Sequence, residues 1–354
     1  MKKFLPLLFV FSLLSKELDD EKKGPQQIEP LTNEESEIDP CDCLFSFPTA
    51  RPMVCNGNDI FITADFILWQ LNEEGTSFSY RSAQDSLGNR MHRGKSYAPD
   101  YGLNPGYRLG LGIDLSKDEW DLFIQYTWLH SHGDKENVSE KDLSTSTLAP
   151  LWFIGNLLSP TSRLTFATGR FEHHLNVFDI ELGRNFFVSP FLKIRPKVGL
   201  KGTWQDEDYH VSYQIQNGNS DQQYQLSMEQ DFFGFGPRAG VDSAWQFTNN
   251  FSMVGKFALS GLWSFFDVSR RDTFEQERYY HICNKFHSVK SVLELYLGLR
   301  FEAWVHCNRY HLQIDAGYEQ QNWMNQNQYV RLYEPSSHGD KIFHGLTLQF
   351  RLDF

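Results

Sequence analysis

The stretch His344 to Phe354, HGLTLQFRLDF, alternates with a strict period of two. Leu346, Leu348, Phe350, Leu352 and Phe354 share one face, and Gly345, Thr347, Gln349, Arg351 and Asp353 share the other. A strand whose faces meet different media has this pattern. A strand of this length, at about 3.3 Å per residue, spans roughly 36 Å, enough to cross a bilayer at a tilt near 45°. The pattern therefore predicts a β-strand with one face in hydrocarbon and the other in water.

No helical alternative competes with it. The long apolar run is Phe4 to Leu14, about half of what a membrane helix needs. A negative mean hydropathy does not exclude a membrane barrel, because alternating segments average out in any window. Thirty Phe, fifteen Tyr and nine Trp, 15% aromatic in all, suit a protein whose rings gather where hydrocarbon meets head groups. A net charge of −12 and the absence of a basic block exclude nucleic acid as an electrostatic partner.

Residues 1–15 have the layout of an export signal: Lys2 and Lys3, then the apolar run, with Ser12 and Ser15 as the small residues near a cleavage point. Residues 16–58 are rich in Glu, Asp, Pro and Gln without periodicity, which predicts a flexible acidic linker on the periplasmic side. From residue 59 to 354, ten alternating segments stand out: Asp59 to Gln70, Gly106 to Leu115, Glu119 to His130, Phe171 to Phe187, Phe191 to Trp204, Phe233 to Phe247, Phe251 to Phe266, Ser291 to Trp304, Arg309 to Trp323, and Ile342 to Phe354. Short connections at Ser116 to Asp118, Val188 to Pro190, Thr248 to Asn250 and Val305 to Asn308 alternate with connections of about 18 to 40 residues. Outer-membrane barrels have short periplasmic turns and long external loops. The expected fold is all-β, a transmembrane antiparallel up-and-down β-barrel of about 10 strands. Tyr209, Val211, Tyr213 and Ile215 alternate ahead of a turn at Asn217 to Ser220, so a further hairpin would raise the count to 12.

The faces agree from segment to segment. Leu192, Ile194, Val198 and Leu200 oppose Lys193, Arg195, Lys197 and Lys201, and Leu293 to Phe301 repeat the pattern. An Arg or Lys in mid-membrane lipid costs ~2–4 kcal/mol, so charges belong inside. The expected pore-lining side chains are Arg108, Asp179, Glu181, Lys193, Arg195, Lys197, Lys201, Arg238, Glu294, Arg300, Glu302, Asp315, Glu319 and Arg351. Their signs nearly balance, which favours pairing across the lumen over a charged ring that sets selectivity. Arg184 falls on the lipid face, near a strand end where it can snorkel. Aromatic residues form two belts: Trp120, Phe186, Trp245, Phe251, Tyr310 and Phe354 near the short turns, and Tyr107, Trp128, Trp204, Phe235, Trp263 and Tyr318 near the long loops. A turn centred on Ser189 sets Glu181 directly opposite Lys197. Leu148 to Leu158 is too apolar for an ordinary external loop, and either folds inward as a constriction or rests on the rim.

The blocks ADFILWQ (Ala64 to Gln70) followed by EEG, NPGYRLGLG (Asn104 to Gly112), WDLFIQYTWLH (Trp120 to His130), NVFDIELGRNFFVSPFLKIRPKVGLKGTW (Asn176 to Trp204), FGFGPRAG (Phe233 to Gly240), RYHLQIDAGYEQQNW with NQNQ (Arg309 to Gln328) and the closing GLTLQFRLDF occur in order. In these blocks the chain resembles the pore-forming, major-outer-membrane-protein-like family of Legionella and chlamydia-like bacteria. The resemblance implies a porin of the bacterial outer membrane that passes small hydrophilic solutes or ions by passive diffusion, with no cofactor. It carries over no catalytic residue. Phe350, Leu352 and Phe354 resemble the terminal signal that barrel assembly machinery reads, so lipid and that machinery are the expected partners.

The competing function is a barrel enzyme, a protease or phospholipase, with its site at the external rim. His173, His174, His281, His287, Asp267 and Asp272 would be available there, but spacing brings no pair within hydrogen-bond reach. A soluble β-sandwich fails on the two aromatic belts. Cys41, Cys43, Cys55 and Cys307 fall on the expected periplasmic side and Cys283 outside. An oxidising compartment favours disulfides, and sequence alone leaves the connectivity open. Zinc is disfavoured because the linker has no His to complete a site. The family resemblance adds disulfides between envelope proteins, or a homo-oligomer, as an expectation beside an internal bridge.

Overall fold

The computed structural model describes residues 52, 54, 59–84, 90–115, 119–139, 146–152, 162–218, 220–306, 309–332 and 339–354. The expected export signal, nearly all of the linker, and Cys41, Cys43, Cys55 and Cys307 lie outside the described residues. Ten long strands form a ring: β1 (Ile60–Glu73), β2 (Leu103–Asp114), β3 (Trp120–Ser139), β4 (Ser162–Arg184), β5 (Leu192–Asn217), β6 (Ser220–Gln246), β7 (Phe251–Phe274), β8 (Glu277–Val305), β9 (Tyr310–Asn327) and β10 (Gly339–Asp353). Each pairs antiparallel with its sequence neighbours, and β10 pairs with β1 from Phe61↔Asp353 to Glu73↔Lys341. Phe354 completes the seam by exchanging backbone hydrogen bonds with Ile60 at 3.0 and 3.4 Å. Closure leaves no ring edge unpaired, the condition for a sheet in lipid.

The outward side chains of the membrane segment are those the alternation assigned. Phe66, Leu109, Val198, Leu259 and Leu297 are exposed on the outer wall, and Tyr107, Trp204, Phe235, Trp245, Trp263 and Tyr318 are exposed in the two belts. The Arg184 guanidinium sits 6.0 Å from the Trp120 ring centre at the periplasmic belt. Inside, close approach of strands requires glycine at Gly199 and Gly236, where a Cβ would come within 2.0 Å of the Ile180 and Gly261 carbonyls respectively.

Two expectations change. The Tyr209 to Ile215 segment adds no strand: it is the outer part of β5, which runs 26 residues and pairs with the 27 residues of β6 through to Asn217↔Ser220. Likewise β7 and β8 meet at a tight turn whose Glu275 and Gln276 have φ of 48° and 71°, the left-handed pair of a two-residue hairpin. Strands of 24 to 29 residues exceed the ~9–11 a bilayer needs, so much of the expected external loop is strand standing above the membrane.

The second correction concerns register. Lys197 stands opposite Gly183, and Gly199 opposite Glu181. The turn lies at Pro190 and Phe191, with Leu192 opposite Ser189, and an irregularity of one residue follows before Lys193 meets Phe187, so the hairpin sits two residues from the expected register. A shift by two keeps every side chain on its face, and Lys197 still reaches Glu181 diagonally at 3.2 Å.

The interior of the outer half is mainly apolar. Phe171, Tyr209, Val211, Tyr213, Ile215, Tyr224, Leu226, Met228 and Phe266 point inward from the wall and pack with Phe78, Tyr101, Leu148, Trp152 and Tyr329 from the connections. The β1–β2 and β3–β4 connections contribute a three-stranded sheet, Arg90–Tyr97, Ser79–Gln84 and Ser146–Pro150. Leu148, Ala149 and Trp152 are buried, so this part of the apolar stretch folds inward.

Candidate functional site: the barrel lumen

Below the apolar plug, the membrane half of the lumen holds a ladder of ion pairs built by parity: each strand sends its odd or its even residues inward. On the β3–β6 wall, Arg195 binds Asp121, donating from Nε to Oδ2 at 2.8 Å, and also reaches Asp242 at 3.1 Å and Glu181 at 3.6 Å. Lys197 lies between Glu181 at 3.2 Å and Asp242 at 3.0 Å. Arg238 pairs with Glu181 and Glu294. Lys201 meets Asp179 and Glu294 at 2.8 Å each, tying β5 to β8 across two intervening strands. On the opposite wall Arg108 binds Glu319 at 2.8 Å and Asp65 at 3.3 Å, and Arg300 makes a two-pronged contact with Asp315 at 2.8 and 2.9 Å. Glu302 stands near Arg300, and Arg351 donates to Asp353 at 2.9 Å. Charge-assisted bonds of this kind fix both partners in a lumen of low dielectric.

All fourteen expected lumen side chains therefore face inward, and thirteen of them belong to this ladder. Lys193 is the exception: among the described residues it makes no ion pair. It lines a cavity of about 140 Å³ that runs from Pro52, Asn185 and Arg351 at the periplasmic end up to Glu319 and Thr347. By the roughly 10–15 Å³ a water needs, this space holds on the order of ten waters, far below the channel of a sixteen-strand porin.

A second polar cluster, absent from the sequence reading, lies beyond the outer aromatic belt. The Lys341 ammonium pairs with Glu207 and stands 4.0 Å from Glu73, all three side chains being fully buried. Glu207 also accepts hydrogen bonds from Gln230 at 3.1 Å and from the Tyr329 hydroxyl at 3.2 Å, while His173 lies 3.8 Å away. Burial pushes the Glu73 carboxyl up to about 7 despite the opposing pull of Lys341. Burial also lowers Lys341 to about 8 against the pull of Glu73, and holds His173 well below its ordinary value, with Lys341 adding to the effect. Parity could have found this cluster. Glu73 shares a face with Asp65, and Glu207 with Lys201, but both lie past the ends assigned to those strands.

The plug hangs from this cluster and the wall around it. The Tyr209 hydroxyl donates to the Thr76 carbonyl, Tyr213 donates to that of Phe78 at 2.5 Å, and Tyr101 donates to the Thr76 hydroxyl at 2.9 Å. Arg331 and Arg270 lie over the Trp152 ring at 4.6 and 5.8 Å. These polar anchors fasten loop backbone to strand side chains.

The family model described as Legionella pneumophila major outer membrane protein precursor matches residues 50–354. The chain belongs to that family. It is a β-barrel of the bacterial outer membrane. No curated protein matches it. Among solved structures it is similar to the outer membrane protease OmpT from Escherichia coli, with 11% identity over 86% of this chain and 99% of that one and a TM-score of 0.42. A Pseudomonas aeruginosa FadL homologue matches at 8% identity over 84% and 90% of the two chains, TM-score 0.24. The Ralstonia pickettii toluene transporter TbuX matches at 8% over 84% and 90%, TM-score 0.25. Similarity of this order transfers no activity to the family member described here.

The rim residues considered for catalysis are dispersed in this barrel. His173 is interior and buried, whereas His174 faces outward against His130, with ring centres 4.0 Å apart. Asp272 is held by Arg270 at 2.8 Å and accepts from Tyr224 at 2.6 Å. Asp267 pairs with Lys285 at 2.5 Å on the outer wall, His287 packs on Phe265, and His281 approaches the exposed thiol of Cys283 at 3.4 Å. At the seam Phe350 is exposed on the outer face of the barrel.

Proposed function

We propose that this protein is a porin whose pore is gated. Small hydrophilic solutes or ions pass through the charged lumen of the membrane half when the apolar plug of the outer half moves aside. The observation that carries this reading is the ion-paired chamber of about 140 Å³ inside the membrane half of the ring, closed on one side by residues of the connections packed against the wall. Loop contacts open faster and at lower cost than a hydrogen-bonded barrel wall. The dispersal of His and Asp at the rim supports permeation over a rim enzyme. Single-channel recording in planar bilayers tests the reading. Wild type should show a small, intermittent conductance. Trp152→Ala removes a buried ring at a cost of ~3–5 kcal/mol and should raise the open fraction by tenfold or more. Silence in both proteins, with heat-modifiable migration showing that both are folded, would overturn it.

A further inference from the structure

We propose that the periplasm-facing chamber is a binding site for small oxyanions, carboxylates or phosphates, centred on Lys193. This deepens the pore reading by assigning the charge of the solute and the side from which it enters.

The chamber lining includes eight lysines and arginines and five aspartates and glutamates. The arrangement matters more than the count, because most of the partner carboxylates stand behind their cations. Arg351 is 20% exposed where Asp353 is 2%, Lys256 is 26% where Asp315 is 0%, and Arg195 is 14% where Asp121 is 3%. Asp242, Glu294 and Glu319 are the lining carboxylates about as exposed as their cations, and each is held by at least one of them: Asp242 by Arg195 and Lys197, Glu294 by Arg238, and Glu319 by Arg108. A solute in the chamber therefore meets more N–H donors than carboxylate oxygens. Such an excess of charged donors favours oxyanions over cations, because each lining carboxylate is already engaged by a cation.

Lys193 supplies the vacancy. Its ammonium faces the same space and, among the described residues, has neither an ion pair nor a hydrogen bond. An unpaired charge in a confined lumen gains most from an incoming counter-charge. Beside it, Arg351 is held 3.6 Å over the Phe61 ring, which stacks on Phe123 with centres 5.6 Å apart. The Phe61 ring fits because position 112 is glycine, where a Cβ would come within 2.0 Å of it. This aromatic floor turns the guanidinium toward the chamber and restricts its motion, so less ordering is needed on binding. The apolar plug shuts the far end, which leaves the periplasmic mouth as the entrance. The open volume suits one small anion with part of its hydration.

Isothermal titration of the full chain in detergent with inorganic phosphate at low ionic strength tests the proposal, and glucose serves as the uncharged control. Wild type should bind phosphate saturably and ignore glucose. Lys193→Gln and Lys193→Met should each weaken binding tenfold or more, while Lys193→Arg retains it; two neutral variants guard against one failing to fold, which heat-modifiable migration reports. Gly112→Ala, by displacing Phe61 and with it Arg351, should weaken binding several-fold. Unchanged phosphate affinity in a folded neutral variant, or no binding by wild type, overturns the site. Binding requires no conduction, so phosphate binding by a barrel that never conducts would overturn the pore reading alone.

Discussion

The two halves of this barrel are built with opposite polarity on the same strands. In the membrane half of β5, Lys193, Arg195, Lys197 and Lys201 point in and Val198, Leu200 and Trp204 point out. Beyond Trp204 the wall still alternates, but Tyr209, Val211, Tyr213 and Ile215 are buried inside while Asp206 and His210 are exposed outside. The medium explains the reversal. Where lipid surrounds the wall, apolar groups face out and the lumen takes the charges; where water surrounds it, the ordinary hydrophobic core returns to the inside. The backbone keeps its period across the boundary and only the chemistry of each face changes.

Identical substitutions on the two sides of this boundary should fail in different ways. The largest effect is expected from Val198→Lys compared with Val211→Lys. At position 198 the ammonium meets lipid at a cost of ~2–4 kcal/mol, so insertion yield should drop and urea midpoints fall with no change in loop protection. At position 211 an unpaired charge enters the dry plug and costs several kcal/mol. The barrel base should stay inserted while the outer connections become sensitive to protease. If both variants lose insertion to the same degree, the halves are one cooperative unit and the comparison fails.

A smaller effect follows from Glu73. Its raised carboxyl keeps a proton in the closed plug that the released segment gives up above its ordinary value near 4.5, up to about 7. The plugged state binds more protons over that interval, so its stability declines as pH rises from about 4.5 to about 7 and levels off beyond. Above about 8 the lowered Lys341 acts in the opposite direction, because the closed plug then holds fewer protons than the released segment. Protease nicking of the outer connections should therefore rise about tenfold from pH 5 to pH 7.5. The rise should be absent in Glu73→Gln; a persistent rise in that variant would move the switch elsewhere. Insertion, a property of the other half, should be flat over the same range.

The smallest effect belongs to the ladder. Glu181 serves Arg195, Lys197 and Arg238 together, and its diagonal contact with Lys197 is a cross-strand pair of the kind that contributes ~0.2–1 kcal/mol. Glu181→Gln should leave the unfolding midpoint nearly unchanged and shift the reversal potential in a salt gradient toward anions. A shift toward cations would mean that the freed ammonium and guanidinium groups do not face the conducting path.

These contrasts also account for what could be read in advance. Leu346 to Phe354 and Phe191 to Trp204 announced themselves because apolar parity and strand parity coincide there, and the ring of ten strands followed. Past Trp204 the apolar parity switches from even to odd while the strand runs on, so Tyr209 to Ile215 resembled a separate hairpin. The inward residues of the ladder were legible from charge alone. Their partners were not, because Lys201 meets Glu294 through the tilt and curvature of the ring, which no single strand encodes. Phe78 carried no periodic signal; it is an isolated ring in a polar stretch, and only tertiary contact gives it a role. Leu148, Ala149 and Trp152 did show, as apolar residues out of place in an external loop.

The seam between β1 and β10 has a kinetic consequence. Every other ring pairing joins strands that follow one another in the chain, and each of those hairpins can zip locally. The thirteen residue pairs from Phe61↔Asp353 to Glu73↔Lys341 join the two ends of the barrel and can form only once the intervening strands have been laid down. Loop-closure entropy grows slowly, so this distance adds only about 2–4 kcal/mol over a local hairpin. Its effect falls on the order of events. Until the seam closes, β1 and β10 each present an open row of backbone donors and acceptors, which makes the nearly finished sheet the species most able to pair with a second copy of itself.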